Sequence, residues 1–309
     1  MSNYIIRRIL FIIPTMLVIF TITFFLMHAT PGGPWDSVGR PLPVHVIENL
    51  NAKYGLDKPV WQQYFIFLWG IISRGDLGDS YSRVGQSVSG IIVDHFPVSL
   101  KLGLAAIVVA LLGGILLGLL GAIKPNSILD NLTTFLSVFG ISTPNYVVAS
   151  LMVILFAVYL DWLPTGGWDS LFSKKSIIPV FALSLGPMAT IARYTRSSVL
   201  ETHSQDYIRT IRAKGASEVY TFIVHALRNA LIPVVTVAGI SLANVVTGSF
   251  FVESILMIPG IGRYFVISVT ARDYPVIMGT TLLYASLVML MNLLVDIAYT
   301  FLDPRIRYN

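Results

Sequence analysis

The sequence contains no cysteine among its 309 residues. This absence excludes disulfide bridges, thiolate catalysis and cysteine-ligated metal sites. Charged residues are also scarce, since they make up 12% of the chain, whereas a soluble domain carries roughly a quarter. Because 55% of the residues are hydrophobic, the composition predicts an integral membrane protein. The net charge of +5 is then expected to orient the chain in the bilayer rather than to bind nucleic acid.

Motifs of ATP-driven or covalent chemistry are missing as well. No glycine directly precedes a lysine, so the sequence has no P-loop. Neither H-E-x-x-H nor G-x-S-x-G occurs, and the histidines are scattered. Asp296 is the one acid well inside a predicted span, and a single carboxylate makes no catalytic dyad. We therefore expect a protein that is not an enzyme and binds no cofactor or metal.

Six apolar segments are long enough to cross a bilayer. They cover approximately 9–27, 102–123, 132–160, 177–192, 231–251 and 276–301. The third segment contains Pro144, and we expect it to form one long helix that is kinked or tilted. The fold class predicted from this pattern is all-α, as a polytopic membrane protein with six transmembrane helices.

The distribution of basic residues predicts the orientation. With six spans both termini lie on one side, and the short segments on that side carry most of the lysines and arginines. Such segments stay in the cytoplasm, so both termini are expected there and the loop 28–97 outside. This loop has helical patterns near Val44–Tyr54 and Pro59–Ile72. The run Tyr64–Ile72 is too short to cross a bilayer, and we expect it to pack on the protein or to lie at the membrane interface.

The polar segment between the fourth and fifth spans predicts a helical elbow in the cytoplasm. Ser204 or Asp206 is expected to cap a helix over Tyr207–Lys214, which Gly215 ends in the left-handed conformation. Ser217 is expected to cap a second helix that leads into the fifth span. The alternative is a solvated basic loop that serves only the topology. The small residues at the tip favour the elbow, because they let another protein approach closely.

At this elbow the sequence resembles the inner-membrane permease subunits of ATP-binding-cassette (ABC) importers. Those proteins carry E-A-A, three residues, Gly, nine residues and I-x-L-P. Here Gly215 is the glycine, Arg209-Thr210-Ile211 replaces E-A-A, and His225-Ala226-Leu227-Arg228 replaces I-x-L-P. The departure matches the variant RTxRAKG…HALxNALxP of the oligopeptide, dipeptide and nickel branch. Further matching stretches, in order, are IRRILFIIPTMLVIFTITFFLMHATPGGP, FPVSLKLG, WLPTGGW, GPMATIARYTRSSVLE, VESILMIPGIGRYFVISVTARDYPVI and LDPRIRY. AKYGLDKPVWQQYF and TGGW resemble the first permease subunit of oligopeptide importers.

The resemblance implies a type I ABC importer permease fold in which the elbow is a coupling helix that docks on a separate ATPase. The residues that would contact the ATPase are Arg209, Arg212, Ala213, Lys214, Gly215, Ala216, Ser217 and Glu218. The implied partners are a second homologous permease subunit, cytoplasmic ABC ATPase subunits, an extracytoplasmic substrate-binding protein, a peptide substrate and membrane lipid, with no nucleic acid. The implied location is the plasma membrane of a bacterium or archaeon.

The implied organisation has three parts. Residues 1–93 form the first transmembrane helix and an extracytoplasmic domain, residues 94–302 form a five-helix permease core with the coupling loop at about 200–229, and residues 303–309 form a cytoplasmic tail. The implied function is to form half of the translocation pathway for oligopeptides. Dipeptides, glutathione, nickel chelates and oligosaccharides are alternative cargoes, and a stand-alone secondary transporter is a more distant alternative.

Three polar residues within the predicted spans are candidates for the translocation path: Asp296, Asn244 and Asn292. A carboxylate in lipid is costly and normally faces a cavity or a partner, so Asp296 either lines the path or bonds a neighbouring helix. The second span also contains Gly114 and Gly118, which form a close-packing motif. We expect these glycines to pack within the bundle rather than to form a homodimer contact.

Overall fold

The computed structural model describes residues 2–36, 42–217, 220–221, 227–246 and 250–302. Over these ranges the chain is helical and contains no named strand, which confirms the all-α class. In chain order the α-helices are α1 (Ser2–Ala29), α2 (Val44–Tyr54), α3 (Val60–Arg74), α4 (Val88–Ile123), α5 (Ile128–Ser142), α6 (Asn145–Met152), α7 (Ile177–His203), α8 (Asp206–Ala213), α9 (Leu227–Val246), α10 (Phe250–Ile255), α11 (Ile261–Ala271) and α12 (Tyr274–Leu302). A π-helical segment, Val153–Tyr159, follows α6.

The chain divides into two compact units. One comprises Met1–Ser99 and Pro259–Met289, and the other comprises Leu100–Ile258 and Leu290–Asn309. The divisions fall within α4, between α10 and α11, and within α12. We call these two compact units, in the order given, the first unit and the second unit.

In the first unit, α1 and α12 form an apolar core that α3 covers. Phe20, Phe24 and Met27 of α1 meet Ile277, Met278 and Leu282 of α12, and Tyr64, Phe67, Leu68 and Ile71 of α3 pack against this cluster. The helices α2 and α3 confirm the two helical segments that the sequence predicted in the loop 28–97. Both helices end at a glycine with positive φ, +69° at Gly55 and +64° at Gly75.

A buried carboxylate holds the segment after α3 against another part of the first unit. Asp273 accepts hydrogen bonds from the hydroxyls of Ser80 and Ser82 and from the backbone N–H groups of Tyr81 and Ser82. Burial, together with the negative charge of Asp273, raises the pKa of the Tyr81 hydroxyl. A tyrosine is neutral at physiological pH in any case, and this shift keeps Tyr81 protonated at still higher pH.

In the second unit, α7 is the central helix, because it packs against α5, α6 and α9. It also packs closely against α4. A β-carbon on Gly114 would lie 2.7 Å from the carbonyl oxygen of Met188, and one on Gly118 would lie 2.6 Å from that of Ala192. The close-packing motif thus serves helix packing within the chain, as predicted.

The third predicted span is not one kinked helix, and that prediction is wrong. The helix α5 and the segment Asn145–Tyr159 are bent by 106° at a short break. Pro144 has no N–H and disfavours helical conformation in the preceding residue, and Thr143 is accordingly extended, with φ −93° and ψ 122°. Proline therefore separates two helices here instead of bending one.

The structure describes four helices long and apolar enough to cross a membrane: Leu10–Ala29, Val88–Ile123, Lys174–His203 and Tyr274–Ile297. The bent pair makes a fifth span if it counts as one. The remaining predicted span, 231–251, includes residues 247–249, which lie outside the described residues. A six-span count is consistent with these helices and stays a prediction.

Candidate functional site

The predicted elbow helix is present as α8. It covers Asp206–Ala213, within one residue of the prediction at each end. Its Ile208 is almost fully buried and attaches the helix to the rest of the protein. The predicted caps were wrong, because Ser204 ends α7, where its hydroxyl donates to the carbonyl of Glu201 (2.8 Å), and Asp206 is already the first helical residue. The carbonyl of Gln205 instead accepts the N–H groups of Ile208 and Arg209.

The tip of the elbow has the geometry of a helix that ends at glycine. Gly215 has φ +83°, as predicted, and the N–H of Ala216 donates to the carbonyl of Ile211 (3.4 Å). This backbone bond across the glycine is characteristic of the Schellman motif. A residue other than glycine would be strained at this φ. The strain would come from the backbone and not from a clash, because no atom lies within 4 Å of the place a β-carbon would occupy.

Ser217 starts the next helical turn, as predicted. Its hydroxyl accepts the N–H of Tyr220 (3.3 Å), and its carbonyl accepts the N–H of Thr221 (2.9 Å). The hydroxyl bond to the third following residue is that of a helix N-cap. The turn from Ala213 to Ser217 is therefore defined by backbone and side-chain hydrogen bonds at both ends.

The surface of this turn is open to solvent. Ala213, Lys214, Gly215 and Ser217 are exposed and Ala216 is half-buried. Arg209 is exposed and lies 3.7 Å from Asp206, one turn earlier. Arg212 belongs to α8, but its side chain lies outside the described residues, and Glu218 also lies outside them. We refer to residues 213–217 as the elbow tip.

An ion pair that sequence reasoning missed ties α7 to α5 above the elbow. Arg196 donates to both carboxylate oxygens of Asp130, with 2.7 Å between Nη2 and Oδ2. Asp130 is 2% exposed and also accepts the N–H of Asn126. In the sequence, Arg196 stands among the basic residues whose distribution predicts the orientation. The sequence did contain a signal for this pair, since Asp130 stands in the first turn of an apolar helix. A carboxylate that is buried there needs a partner.

The candidate path residues lie on α9 and α12. Asp296 is half-buried and Asn292, one turn before it, is exposed. The two helices approach closely at Gly239, where a β-carbon would lie 2.9 Å from Val295. Asn244 follows on α9, with a side chain outside the described residues.

A cavity of about 340 Å³ lies at the break between α5 and α6, next to α7 and α9. Among the described residues, its polar lining consists of Thr143, Asn145, Thr190 and Ser241 and includes no charged side chain. Gly140 and Gly186 also belong to the lining. Sequence reasoning did not select these residues, because they come from four separate helices and only the bend brings them together.

Long apolar helices, a proline-broken helix pair and an exposed elbow together define a polytopic helical membrane protein. The chain belongs to the family of binding-protein-dependent transport system inner membrane components. The model of that family matches residues 114–308, and the model of its N-terminal part matches residues 1–103.

Relatives of the same length support this membership. The chain is 46% identical to the dipeptide transport system permease protein DppB of Bacillus subtilis over 307 residues, which are 99% of this chain and 98% of that protein. It is 41% identical over 308 residues to the oligopeptide transport system permease protein OppB of Escherichia coli K12, with both chains fully covered.

Among solved structures, a chain of the inward-facing MetNI methionine ABC transporter matches with a TM-score of 0.54. The match covers 69% of this chain and 96% of that one at 21% identity, so it concerns the fold alone. The fold is that of a type I ABC importer permease. The protein is thus a multi-pass permease subunit of an ABC importer in the inner membrane, it is not itself an enzyme, and ATP hydrolysis belongs to a separate subunit. Such a permease works with ATPase subunits, a substrate-binding protein and a second permease.

Proposed function

We propose that this chain forms half of the translocation pathway of a peptide importer, with the elbow tip as its contact to an ATPase subunit. Oligopeptides are the proposed cargo. Dipeptides are the second candidate, because relatives named for dipeptide and for oligopeptide transport match this chain over similar lengths. The length of the peptide is set mainly by the binding protein.

The geometry of the elbow tip is the observation that carries this proposal. An exposed turn of small residues, held by hydrogen bonds at both ends, presents a fixed shape that fits a groove of a soluble partner. The cationic side chains of Arg209 and Lys214 are exposed beside it, where they can form charge-assisted hydrogen bonds. A loop that only set the topology would need cations but no fixed turn.

The connection between α8 and α7 supports a mechanical role. Only Ser204 and Gln205 separate the two helices, and both are included in backbone hydrogen bonds to the end of α7. A displacement of the elbow by the ATPase would therefore move α7. Since α7 packs against α4, α5 and α9, that movement would reach the helices of the second unit together, as alternating access requires.

The proposed path runs along the polar positions of the second unit. The cavity at the α5–α6 break offers hydroxyl and amide groups without charge, which suits the backbone of peptides whose side chains vary. Asp296, with Asn244 and Asn292, is proposed to line the path further along, where its carboxylate would attract a cationic amino terminus.

Both termini are proposed to be cytoplasmic, with a permease core at 94–302 and an extracytoplasmic domain before it.

Substitution of Gly215 tests the coupling role. Gly215→Val places a β-branched side chain at φ +83°, which is strained, and adds bulk at the docking surface. We expect peptide uptake and substrate-stimulated ATP hydrolysis to fall together in reconstituted vesicles, because one coupling free energy connects the two processes. Membrane insertion should be unchanged, since no spanning segment is altered.

Gly215→Asn is the matched control, because asparagine adds a side chain of similar size but tolerates the left-handed conformation. It should retain most of the activity. Normal uptake by Gly215→Val at the wild-type expression level would reduce the elbow to a topology signal and would overturn its proposed role as the contact to the ATPase.

A further inference from the structure

The helix α3 has two apolar faces, and they have different environments. Tyr64, Phe67 and Ile71 belong to the face that packs against the core of the first unit. Trp61, Phe65, Trp69 and Ile72 lie on another side of the helix. At about 100° per residue, these four positions fall within an arc of roughly 80°. We call them the α3 aromatic stripe.

The α3 aromatic stripe is exposed along its whole length. The exposed fractions are 60% for Trp61, 61% for Phe65, 68% for Trp69 and 67% for Ile72. A contiguous apolar surface that contains two tryptophans is unfavourable in water and marks an interaction site. Some other phase or molecule must therefore cover it.

The contacts of Tyr64 place α3 beside a membrane span. Its hydroxyl is 2.8 Å from the hydroxyl of Thr21, and its ring packs against those of Phe20, Phe24 and Phe25. Phe25 and Phe20 precede the end of α1 at Ala29 by four and nine residues, which corresponds to about 6–14 Å along the helix axis. Tyr64 thus lies alongside the apolar span Leu10–Ala29, below its end.

The surface of α1 at the same depth is also apolar and exposed. Ile22 and Leu26 expose more than half of their area, and as parts of a membrane span they face acyl chains. Phe25 is also exposed, at 48%, and its ring stacks on that of Tyr64, so the exposed apolar surface of α1 reaches α3. Continuity with a lipid-facing surface distinguishes lipid from a soluble protein as the occupant.

The ends of α3 fit the boundary between lipid and water. Its 15 residues give a length of about 22 Å, too short for a hydrocarbon core of about 30 Å. Exposed Lys58 and Arg74 flank it, and no charged residue lies between them. Tryptophans prefer the interfacial region, and flanking cations reach toward lipid phosphates.

We propose that α3 is an interfacial helix whose aromatic stripe binds membrane lipid, with Lys58 and Arg74 directed at the phosphate groups. The lipid belongs to the leaflet at the C-terminal end of α1, which is the outer leaflet in the topology that the proposed function assumes. The helix thereby connects the first unit to the bilayer at a second place besides its spans.

Spin labels test this proposal, and the absence of cysteine makes single-site labelling direct. Cysteine variants at Trp61, Phe65 and Trp69 would carry a nitroxide in the assembled transporter, with partner subunits free of reactive cysteine. The matched controls are Ile22→Cys on α1 and Glu48→Cys on α2, where Glu48 is exposed. The vesicles contain phosphatidylethanolamine and phosphatidylglycerol, and the readout is the collision rate with oxygen relative to that with a water-soluble nickel complex.

We expect the collision rate with oxygen to exceed that with the nickel complex several-fold at the three stripe positions, as at Ile22. At Glu48 the collision rate with the nickel complex should be the higher one. Nickel-dominated collisions at the stripe would place it in water and overturn the proposal. Shielding from both reagents would overturn it as well, by assigning the stripe to a protein partner. If the nickel complex dominated at Ile22 as well, α1 would not be a membrane span and the topology of the proposed function would fail. Nickel-dominated collisions at the stripe alone would refute only the lipid contact of α3.

Discussion

At the scale of single residues, the ion pair between Asp130 and Arg196 joins α5 to α7. Removing one partner of a buried pair leaves the other group without compensation. We expect Asp130→Asn to lower the stability of the solubilised permease by about 1–3 kcal/mol, less than for a fully buried pair because Arg196 is partly exposed. Thermal unfolding of the purified protein in detergent measures this loss.

Asp206→Asn is the control for that prediction. The pair of Asp206 with Arg209 is widely exposed and 3.7 Å long, and such pairs contribute little. Its unfolding temperature should match the wild type. If Asp130→Asn were equally neutral, the buried pair would not stabilise the bundle. In the double variant with Arg196→Gln, the losses should be less than additive.

At the scale of helices, the α4–α7 packing depends on small residues. Gly118→Ala places a methyl group within 2.6 Å of the Ala192 carbonyl oxygen, so the helices must separate. We expect a loss of about 1–3 kcal/mol in stability, together with reduced uptake, because α7 would no longer move with α4. Unfolding in detergent and transport in vesicles measure the two effects.

Gly121→Ala on the same helix is the matched control. A β-carbon there meets its nearest atoms at 3.5 Å, which is ordinary contact. Alanine also favours the helix over glycine, so this variant should be as stable as the wild type or slightly more so. Equal losses for both variants would contradict a specific role for the close approach at Gly118.

At the scale of the whole molecule, the proposed topology predicts which side each polar segment occupies. In intact cells a membrane-impermeant maleimide should label Glu48→Cys from outside. It should reach Lys214→Cys only after the inner membrane is opened, because the elbow tip is proposed to be cytoplasmic. Both positions are exposed, and cells that express the permease without its ATPase subunits keep the elbow tip uncovered, so accessibility then depends on the membrane side alone. The reverse labelling pattern would overturn the orientation.

Much of the helical structure follows from local patterns in the sequence. The boundaries of α2 and α8 were predicted within one residue, because proline, glycine and polar positions mark helix ends through their own backbone chemistry. Gly215 and Ser217 were predicted for the same reason. The residue that precedes α8 is Gln205, and it was not predicted because serine and aspartate are the usual N-caps of helices. Here the end of α7, and not a capping side chain, fixes where α8 begins.

The candidate site was predictable only in part. The elbow tip is a local feature, so its residues could be chosen from the sequence. The cavity at the α5–α6 break could not, because Thr143, Thr190 and Ser241 are far apart in the chain. Asp130 was missed as the partner of Arg196 for the same reason, since no local pattern links residues 66 positions apart.

The sequence by itself determined that this protein is a helical membrane permease of the ABC importer family, because apolar length, scarce charge and the elbow motif are properties of consecutive residues. The tertiary structure decided the rest. It set the angle of 106° between the two helices that Pro144 separates, paired Arg196 with Asp130 and gave α3 a face against the core and a face away from it. These outcomes depend on which distant surfaces meet, and contact between distant surfaces is a property of the folded chain.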